Sequence, residues 1–295
     1  MKAAVLYEYG KPLVVEEVEL DGPKEGEVMV KIVASGVCHS DYVFVEGKPY
    51  IQRELPLVLG HEGAGIVEGV GSGVSSVEVG DHVVLSWVAT CGVCRRCAIG
   101  RPNICEVGRG PEVMASNMPD GTRRIRKGNR YFGHMGALST MAEYAVVPES
   151  SAIKIDKDIP LDKAALVGCA VMTGVGAVIN TAQVEVGSTV AVFGLGGVGI
   201  SAVQGSLLAN ANPIIAVDVL QNKLDHAVRM GATHTVDASL GKVSEEIEAI
   251  SPGGLDYAFE AIGNEEVMAQ AYGLLRTGGS LVVIGAAPAE QKLTI

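Results

Sequence analysis

The sequence predicts an α/β protein in two parts: a β-rich part over residues 1–170 and a doubly wound parallel sheet over residues 171–295. Three observations carry that reading. Up to about Met172 the chain is a series of short apolar runs closely punctuated by Gly and Pro. Beyond it, apolar runs alternate with helix-like segments. A glycine-rich turn then joins the first of the later runs to the segment that follows it.

The early runs are "KAAVLYEY", "LVVEEVEL", "EVMVKIVASGV", "GHEGAGIVEGVGSGV" and "DHVVLSWV". Short strands at such spacing point to a barrel or sandwich rather than a parallel sheet. The later runs are "STVAVFG", "PIIAVD", "THTVDA", "LDYAFEAIG" and "SLVVIG". Strand alternating with helix is the pattern of βαβ units. A chain of 295 residues has room for both cores. Its 38 glycines follow no G-X-Y period and suit many tight turns.

Several function classes are disfavoured by composition. No apolar run reaches the length of a membrane span. The opening "MKAAVLYEYG" lacks the features of a secretory signal, so a cytoplasmic location is expected. A formal net charge of −11 opposes nucleic-acid binding, which needs a positive field. The one basic stretch, "GTRRIRKGNR" (Gly121 to Arg130), is bounded by turn residues and reads as a solvated loop.

Four cysteines, Cys91, Cys94, Cys97 and Cys105, crowd into "CGVCRRCAIGRPNIC". In a reducing compartment, clustered thiols bind metal more often than they form disulfides. Four soft thiolates suit a closed tetrahedral zinc site that ties an irregular loop together. An iron–sulfur cluster is the competitor, since C-x2-C-x2-C also opens ferredoxin motifs; there the fourth cysteine follows after three residues and precedes proline. Here it follows after seven and precedes Glu106, which favours zinc.

"TVAVFGLGGVGISAV" carries Gly194, Gly196, Gly197, Val198 and Gly199 between an apolar strand and a helix. In that setting the first glycine permits a tight turn, the second lets backbone approach a pyrophosphate, and the third lets helix and strand pack closely. The helix N-terminus offers free N–H groups to the anion. The next strand ends in Asp218, placed to accept hydrogen bonds from ribose hydroxyls and to repel a 2′-phosphate. The expected cofactor is therefore NAD rather than NADP.

Cys38 in "SGVCHSDY", His61 in "LGHEGAG" and Cys169 in "GCAVMTG" remain. Singly, each cysteine reads as a small buried hydrophobe and the histidine as part of a turn. Together they make a candidate three-donor set with an open fourth position.

In their order along the chain, "GVCHSD", "GHEGAG", the four-cysteine lobe, "GCAVMTG", "GLGGVG" and "FEAIGN" resemble the zinc-dependent medium-chain alcohol dehydrogenases. The resemblance runs from the first strand to the last residue. It implies a GroES-like, zinc-binding catalytic domain (1–170) followed by a Rossmann NAD-binding domain (171–295), with the active site in the cleft between them. It implies a catalytic zinc on Cys38, His61 and Cys169 and a structural zinc on Cys91, Cys94, Cys97 and Cys105, two Zn²⁺ per chain. The implied reaction is oxidation of an alcohol to an aldehyde or ketone, with hydride transfer to NAD. Ser40 would pass on the alcohol's proton, Asp41 would hold a zinc ligand, and Glu62 would tune the metal. His39 would contact the cofactor pyrophosphate, and Thr173, Lys223 and Ile262 would line the cofactor site. A homodimer or homotetramer is implied too, for the full-length protein.

Departures from the family pattern qualify the resemblance. Val43 stands where some relatives complete the proton relay with histidine. Arg109 matches a glutathione-carboxylate contact of the formaldehyde dehydrogenases, but Pro49 replaces the partner acid, leaving S-(hydroxymethyl)glutathione as the alternative substrate. Trp87 is expected to line the pocket and favour small alcohols. The family continues for several tens of residues past "AAPAEQKLTI". The chain is therefore expected to be C-terminally truncated, with "SLVVIG" as an apolar edge strand. A non-catalytic zinc- and nucleotide-binding remnant is the alternative of another class.

Overall fold

In the computed structural model the described residues are 1–48, 52–288, 292 and 294, and they divide into two units, Met1–Cys169 and Ala170–Ile295.

The first unit is built on eleven strands: β1 (Lys2–Leu6), β2 (Val14–Glu17), β3 (Glu19–Leu20), β4 (Glu27–Ser35), β5 (Leu57–Val58), β6 (Gly63–Val70), β7 (His82–Leu85), β8 (Ile125–Lys127), β9 (Arg130–His134), β10 (Tyr144–Pro148) and β11 (Ala152–Ile155). They form a six-stranded sheet, β2-β1-β5-β9-β8-β3, and a five-stranded sheet, β10-β4-β6-β7-β11. Val28 and Val30 of β4 alternate with outward residues and pack with Val67, Val83, Leu85 and Val147 in one core. The β4–β6 ladder shifts register between Met29 and Val30 and again between Ile32 and Ala34. Such bulges bend and twist the strand pair that leads to Cys38 and His61. Four short helices, α1 (His39–Glu46), α2 (Arg95–Ala98), α3 (Pro111–Met114) and α4 (Leu161–Ala164), sit in the connections.

The stretch Gly121–Arg130 departs from its sequence reading as a solvated loop. Its second half enters the β8–β9 hairpin, and Arg124 is fully buried. Glu27 explains the burial: its carboxylate accepts the Arg124 Nε–H at 2.9 Å, and Asp120 takes a second guanidinium N–H at 2.9 Å. A paired guanidinium tolerates the interior, where an unpaired one would not.

The second unit is a parallel sheet of β12 (Val190–Phe193), β13 (Ile214–Asp218), β14 (His234–Asp237), β15 (Leu255–Glu260) and β16 (Leu275–Val283), ordered β14-β13-β12-β15-β16. Helices α5 (Ala170–Gly176), α6 (Gly197–Leu208), α7 (Gln221–Arg229), α8 (Val243–Ile250) and α9 (Glu265–Gly273) accompany it. Val190 and Val192 enter one core while Ala191 and Phe193 enter the other, so β12 is apolar on both faces. Strand order reverses at β12, which pairs with β13 on one side and β15 on the other. That reversal makes the crevice at its C-terminal end a ligand position. β16, which holds the "SLVV" of "SLVVIG", is an edge strand of this sheet.

Candidate functional site

The four lobe cysteines converge. Cys91, Cys94, Cys97 and Cys105 are free thiols, and their sulfurs all lie within 4.8 Å of one another. The backbone turns inward to serve them: Cys94 N–H donates to Cys91 Sγ at 3.2 Å, and Cys91 and Gly108 N–H donate to Cys105 Sγ at 3.3 and 3.4 Å. The Cys97 and Glu106 N–H groups hold the Cys94 thiol down at about 6, whereas burial, and then Cys94 itself, push Cys97 up to about 12. Four thiolates in one place need a compensating cation. A tetrahedral zinc with arms of ~2.3 Å has sulfur–sulfur edges of about 3.8 Å; Cys94 and Cys105 Sγ stand 3.9 Å apart. The donors fit one ion. An iron–sulfur cubane, with an iron for each cysteine, spreads its ligands farther apart.

The scattered set converges as well. Cys38, His61, Glu62 and Cys169 each place a donor atom within 4.8 Å of the others. Cys38 is the N-cap of α1, and Asp41 at the third helical position accepts its N–H at 2.9 Å. The other Asp41 oxygen accepts the Gly60 N–H at 3.1 Å and faces His61 Nδ1 at 3.3 Å. With Nδ1 engaged, Nε2 is the nitrogen left for a metal. Cys169 comes from the turn that follows α4.

Charge is shared unevenly within the set. Hydrogen bonds from Cys169 and then His61 carry the Cys38 thiol down to about 3, and the resulting thiolate, with burial, drives Cys169 far above the usual thiol range. Burial opposes a charged His61, but Asp41 and Cys38 outweigh it and raise the ring to about 10. Burial, then the Cys38 charge, lift Glu62 to about 7. A divalent cation taking these donors displaces their protons.

A cavity of about 250 Å³ opens beside this set, with Ser40, His61 and Cys169 at one part of its wall and Phe44, Trp87 and Met135 elsewhere. Ser40 Oγ lies 3.7 Å from Cys38 Sγ. Trp87 lines the cavity as expected, and the Arg109 guanidinium lies 5.3 Å from its ring centroid. Phe44 and Arg53 also line it, though no motif in the sequence singled them out. Pro49 lies outside the described residues. His39 is exposed, its ring 5.9 Å from that of Tyr42. Val43 is a half-buried residue of the same helix.

In the second unit, the glycine turn sits at the C-terminal end of β12. Gly194 has φ +87°, and a Cβ there would overlap Ile262. A Cβ at Gly199 would overlap the Gly194 carbonyl oxygen, whereas one at Gly196 meets nothing within 4 Å. The three glycines thus differ in role: turn, open approach and close packing. Val198 follows in the first turn of α6, and Gly197 opens that helix. Thr173 is a half-buried residue of α5.

Asp218 is buried at the end of β13. It accepts the Leu195 N–H at 2.8 Å and the Leu220 N–H at 3.1 Å, with Lys223 Nζ at 3.3 Å. The carboxylate therefore fixes the glycine turn itself, a task the sequence reading did not assign to it. Glu260 was missed altogether. Fully buried at the end of β15, its Oε1 accepts the N–H groups of Ile262 and Gly263 at 2.9 and 2.7 Å, which sets the loop against Gly194. Its place in "FEAIGN" was the available signal.

Comparison with known proteins agrees with this geometry. Residues 24–157 match the family described as alcohol dehydrogenase GroES-like domain, and residues 197–295 match zinc-binding dehydrogenase. The chain is 42% identical over 297 residues to an NDMA-dependent alcohol dehydrogenase of Amycolatopsis methanolica, covering 100% of this chain and 78% of that protein. It is 43% identical over 303 residues to an S-(hydroxymethyl)glutathione dehydrogenase of Paracoccus denitrificans, covering 99% and 80%. The crystal structure of benzyl alcohol dehydrogenase from Acinetobacter calcoaceticus superposes with a TM-score of 0.92 at 33% identity, covering 99% of this chain and 79% of that one. With two cysteine-bearing donor sets in the first unit and a glycine turn at the strand-order reversal of the second, the chain belongs to the zinc-dependent medium-chain alcohol dehydrogenases.

Proposed function

We propose that this protein oxidises an alcohol to an aldehyde or ketone, the carbinol hydrogen leaving as hydride to NAD⁺ and the hydroxyl proton leaving to solvent. The observation that carries the reading is the convergence of Cys38, His61, Glu62 and Cys169 beside a cavity that Ser40 and Trp87 also line. Cys38, His61 and Cys169 would hold Zn²⁺ there, which supplies Lewis acidity that makes the hydroxyl proton of a bound alcohol easier to lose.

The chain's own residues do the rest. Ser40 takes that proton through its hydroxyl at the cavity wall. With Val43 in place of a histidine, the proton leaves the Ser40 hydroxyl for water. Asp41 fixes the imidazole tautomer and orientation of His61. Trp87 and Phe44 exclude water from the reacting carbon and limit the alcohol to one that fits about 250 Å³.

Residues 1–170 serve as the catalytic domain and residues 171–295 as the NAD-binding domain. Gly194, Gly196, Gly197, Val198 and Gly199 would receive the pyrophosphate. Asp218 disfavours a 2′-phosphate, and Thr173, Lys223 and Ile262 line the remaining cofactor surface. Among the described residues no single helix is long and apolar enough to cross a membrane. We place the enzyme in the cytoplasm as a homodimer or homotetramer.

A metal count combined with alcohol-dependent NADH formation tests the reading. Two zincs per chain and turnover with a primary-alcohol panel are expected. Folded, zinc-loaded protein without turnover on any alcohol or on S-(hydroxymethyl)glutathione would leave only a binding module.

A further inference from the structure

We propose that Thr140 is the positioning residue that holds the His61–Glu62 segment at its metal-binding geometry, working through the carbonyls of Gly60 and Glu62. This inference rests on the metal site proposed above.

Thr140 is fully buried and makes two hydrogen bonds to the stretch around His61. Its N–H donates to the Gly60 carbonyl at 3.0 Å, and its hydroxyl donates to the Glu62 carbonyl at 3.2 Å. The hydroxyl oxygen lies 2.8 Å from Ser35 Oγ. One hydroxyl has a single proton, so the chain runs Ser35 O–H to Thr140 Oγ1 and Thr140 O–H to Glu62 O. The Gly36 N–H completes the Glu62 carbonyl at 2.9 Å.

Sterics make the fit tight. A Cβ at Gly60 would lie 2.5 Å from Thr140 Oγ1, and one at Gly63 would lie 2.6 Å from its Cγ2. The two glycines that flank His61 and Glu62 therefore leave room for the two branches of Thr140. Gly60 has φ +94°, a conformation costly to any other residue. The chain also accepts unfavourable backbone to deliver Thr140: Ala137 and Ser139 have φ +57° and +62°. Ser139 Oγ secures that turn by donating to the Val58 carbonyl at 3.0 Å. Asp41 orients the His61 ring and takes the Gly60 N–H, but the Gly60 and Glu62 carbonyls on either side of His61 need a partner of their own. Thr140 serves both.

The test uses the whole protein and Zn²⁺ itself, with affinity read by chelator competition and the lobe cysteines as internal control. Thr140→Val keeps the shape and removes the hydroxyl. It should weaken zinc at the Cys38–His61–Cys169 set by about 10- to 100-fold, the range seen when a ligand's supporting hydrogen bond is removed. The lobe zinc and the KM for NAD⁺ should stay as in the parent, while kcat falls. Co²⁺ substituted at the weaker site should show an altered visible ligand-field spectrum. Thr140→Ser should restore affinity to within about threefold, because it keeps the hydroxyl. Should the valine variant fail to fold, Ser35→Ala tests the same chain and should weaken the same zinc alone. Parental affinity and spectrum in folded Thr140→Val, or in Ser35→Ala if valine does not fold, would overturn the proposal. A parent protein that binds zinc only at the lobe would instead overturn the metal-site reading beneath it.

Discussion

Asp41 and His61 lie 3.3 Å apart in the buried wall of the donor set, although twenty residues separate them in the chain. The same carboxylate accepts the Cys38 N–H at 2.9 Å and the Gly60 N–H at 3.1 Å, so one side chain ties two metal-ligating segments together.

Replacing that carboxylate by an amide separates shape from charge. Asp41→Asn has one acceptor oxygen for three N–H groups, so whichever way the amide turns, its NH₂ faces a donor. Zinc affinity at this set and kcat/KM are each expected to fall about 10- to 100-fold. Chelator competition and steady-state kinetics check it; parental values in both would remove Asp41 from the site's support.

The glycine turn makes two opposite predictions. Gly199→Ala forces a methyl group into the Gly194 carbonyl oxygen and should destabilise the protein by about 1–3 kcal/mol, seen in denaturant unfolding. Gly196→Ala meets no neighbouring atom and has an ordinary φ of −75°, so stability should hold. Its methyl group stands where a pyrophosphate would come, and NAD⁺ affinity measured by nucleotide fluorescence should drop by about tenfold or more. Equal behaviour of the two variants would contradict the separate roles.

His134 supplies a pH dependence away from either metal set. It is fully buried, accepts the Arg124 N–H on Nε2 at 2.9 Å, and faces Ser139 Oγ with Nδ1 at 3.3 Å. Burial, then the charges of Arg124 and Arg123, push it down to about 3 from 6.5. Between those values the unfolded chain binds a proton that the folded chain refuses. Its contribution is therefore complete above pH 6.5 and is lost as pH falls toward 3. Unfolding free energy should decline by about 1.4 kcal/mol per pH unit from this group alone. His134→Gln, which can keep an acceptor for the Arg124 N–H, should remove about one proton from the slope between pH 6 and 4.5. An unchanged slope in the folded variant would show that another group carries it.

Metal withdrawal should act locally on the lobe. Residues 91–105 have little apolar burial of their own; Val93 is 85% exposed and Ile99 57%. Without a cation the four thiols have no reason to converge. Chelation under reducing conditions should open this segment to protease while the far-ultraviolet signal of the sheets persists, since each sheet has its own core. The metal-loaded protein should be colourless, and an intense visible absorption from iron would overturn the zinc reading.

How far the sequence carried the account depends on separation along the chain. The lobe cysteines and the glycine turn were legible because their geometry is set within a few residues, where covalent connectivity and one or two turns leave few alternatives. The strand rhythms were legible for the same reason: periodicity is a local property. Residue type alone could nominate Cys38, His61 and Cys169 as a donor set, but only resemblance gave that set its role. Their meeting depends on the bulged β4–β6 ladder and on the turn after α4.

Tertiary structure alone decided the rest. Arg124 reads as solvated until Glu27, 97 residues away, is brought beside it. Thr140 has no motif, and its wedge against Gly60 and Gly63 exists only once distant strands are in register. Glu260 is one more strand-end acid until three successive N–H groups turn toward its carboxylate. The sequence by itself determined which chemistry was on hand, soft sulfur donors, an imidazole and a phosphate-sized turn. The fold decided which of those groups share a point in space, because long-range pairing is set by sheet register and burial, and neither leaves a periodic trace in the chain.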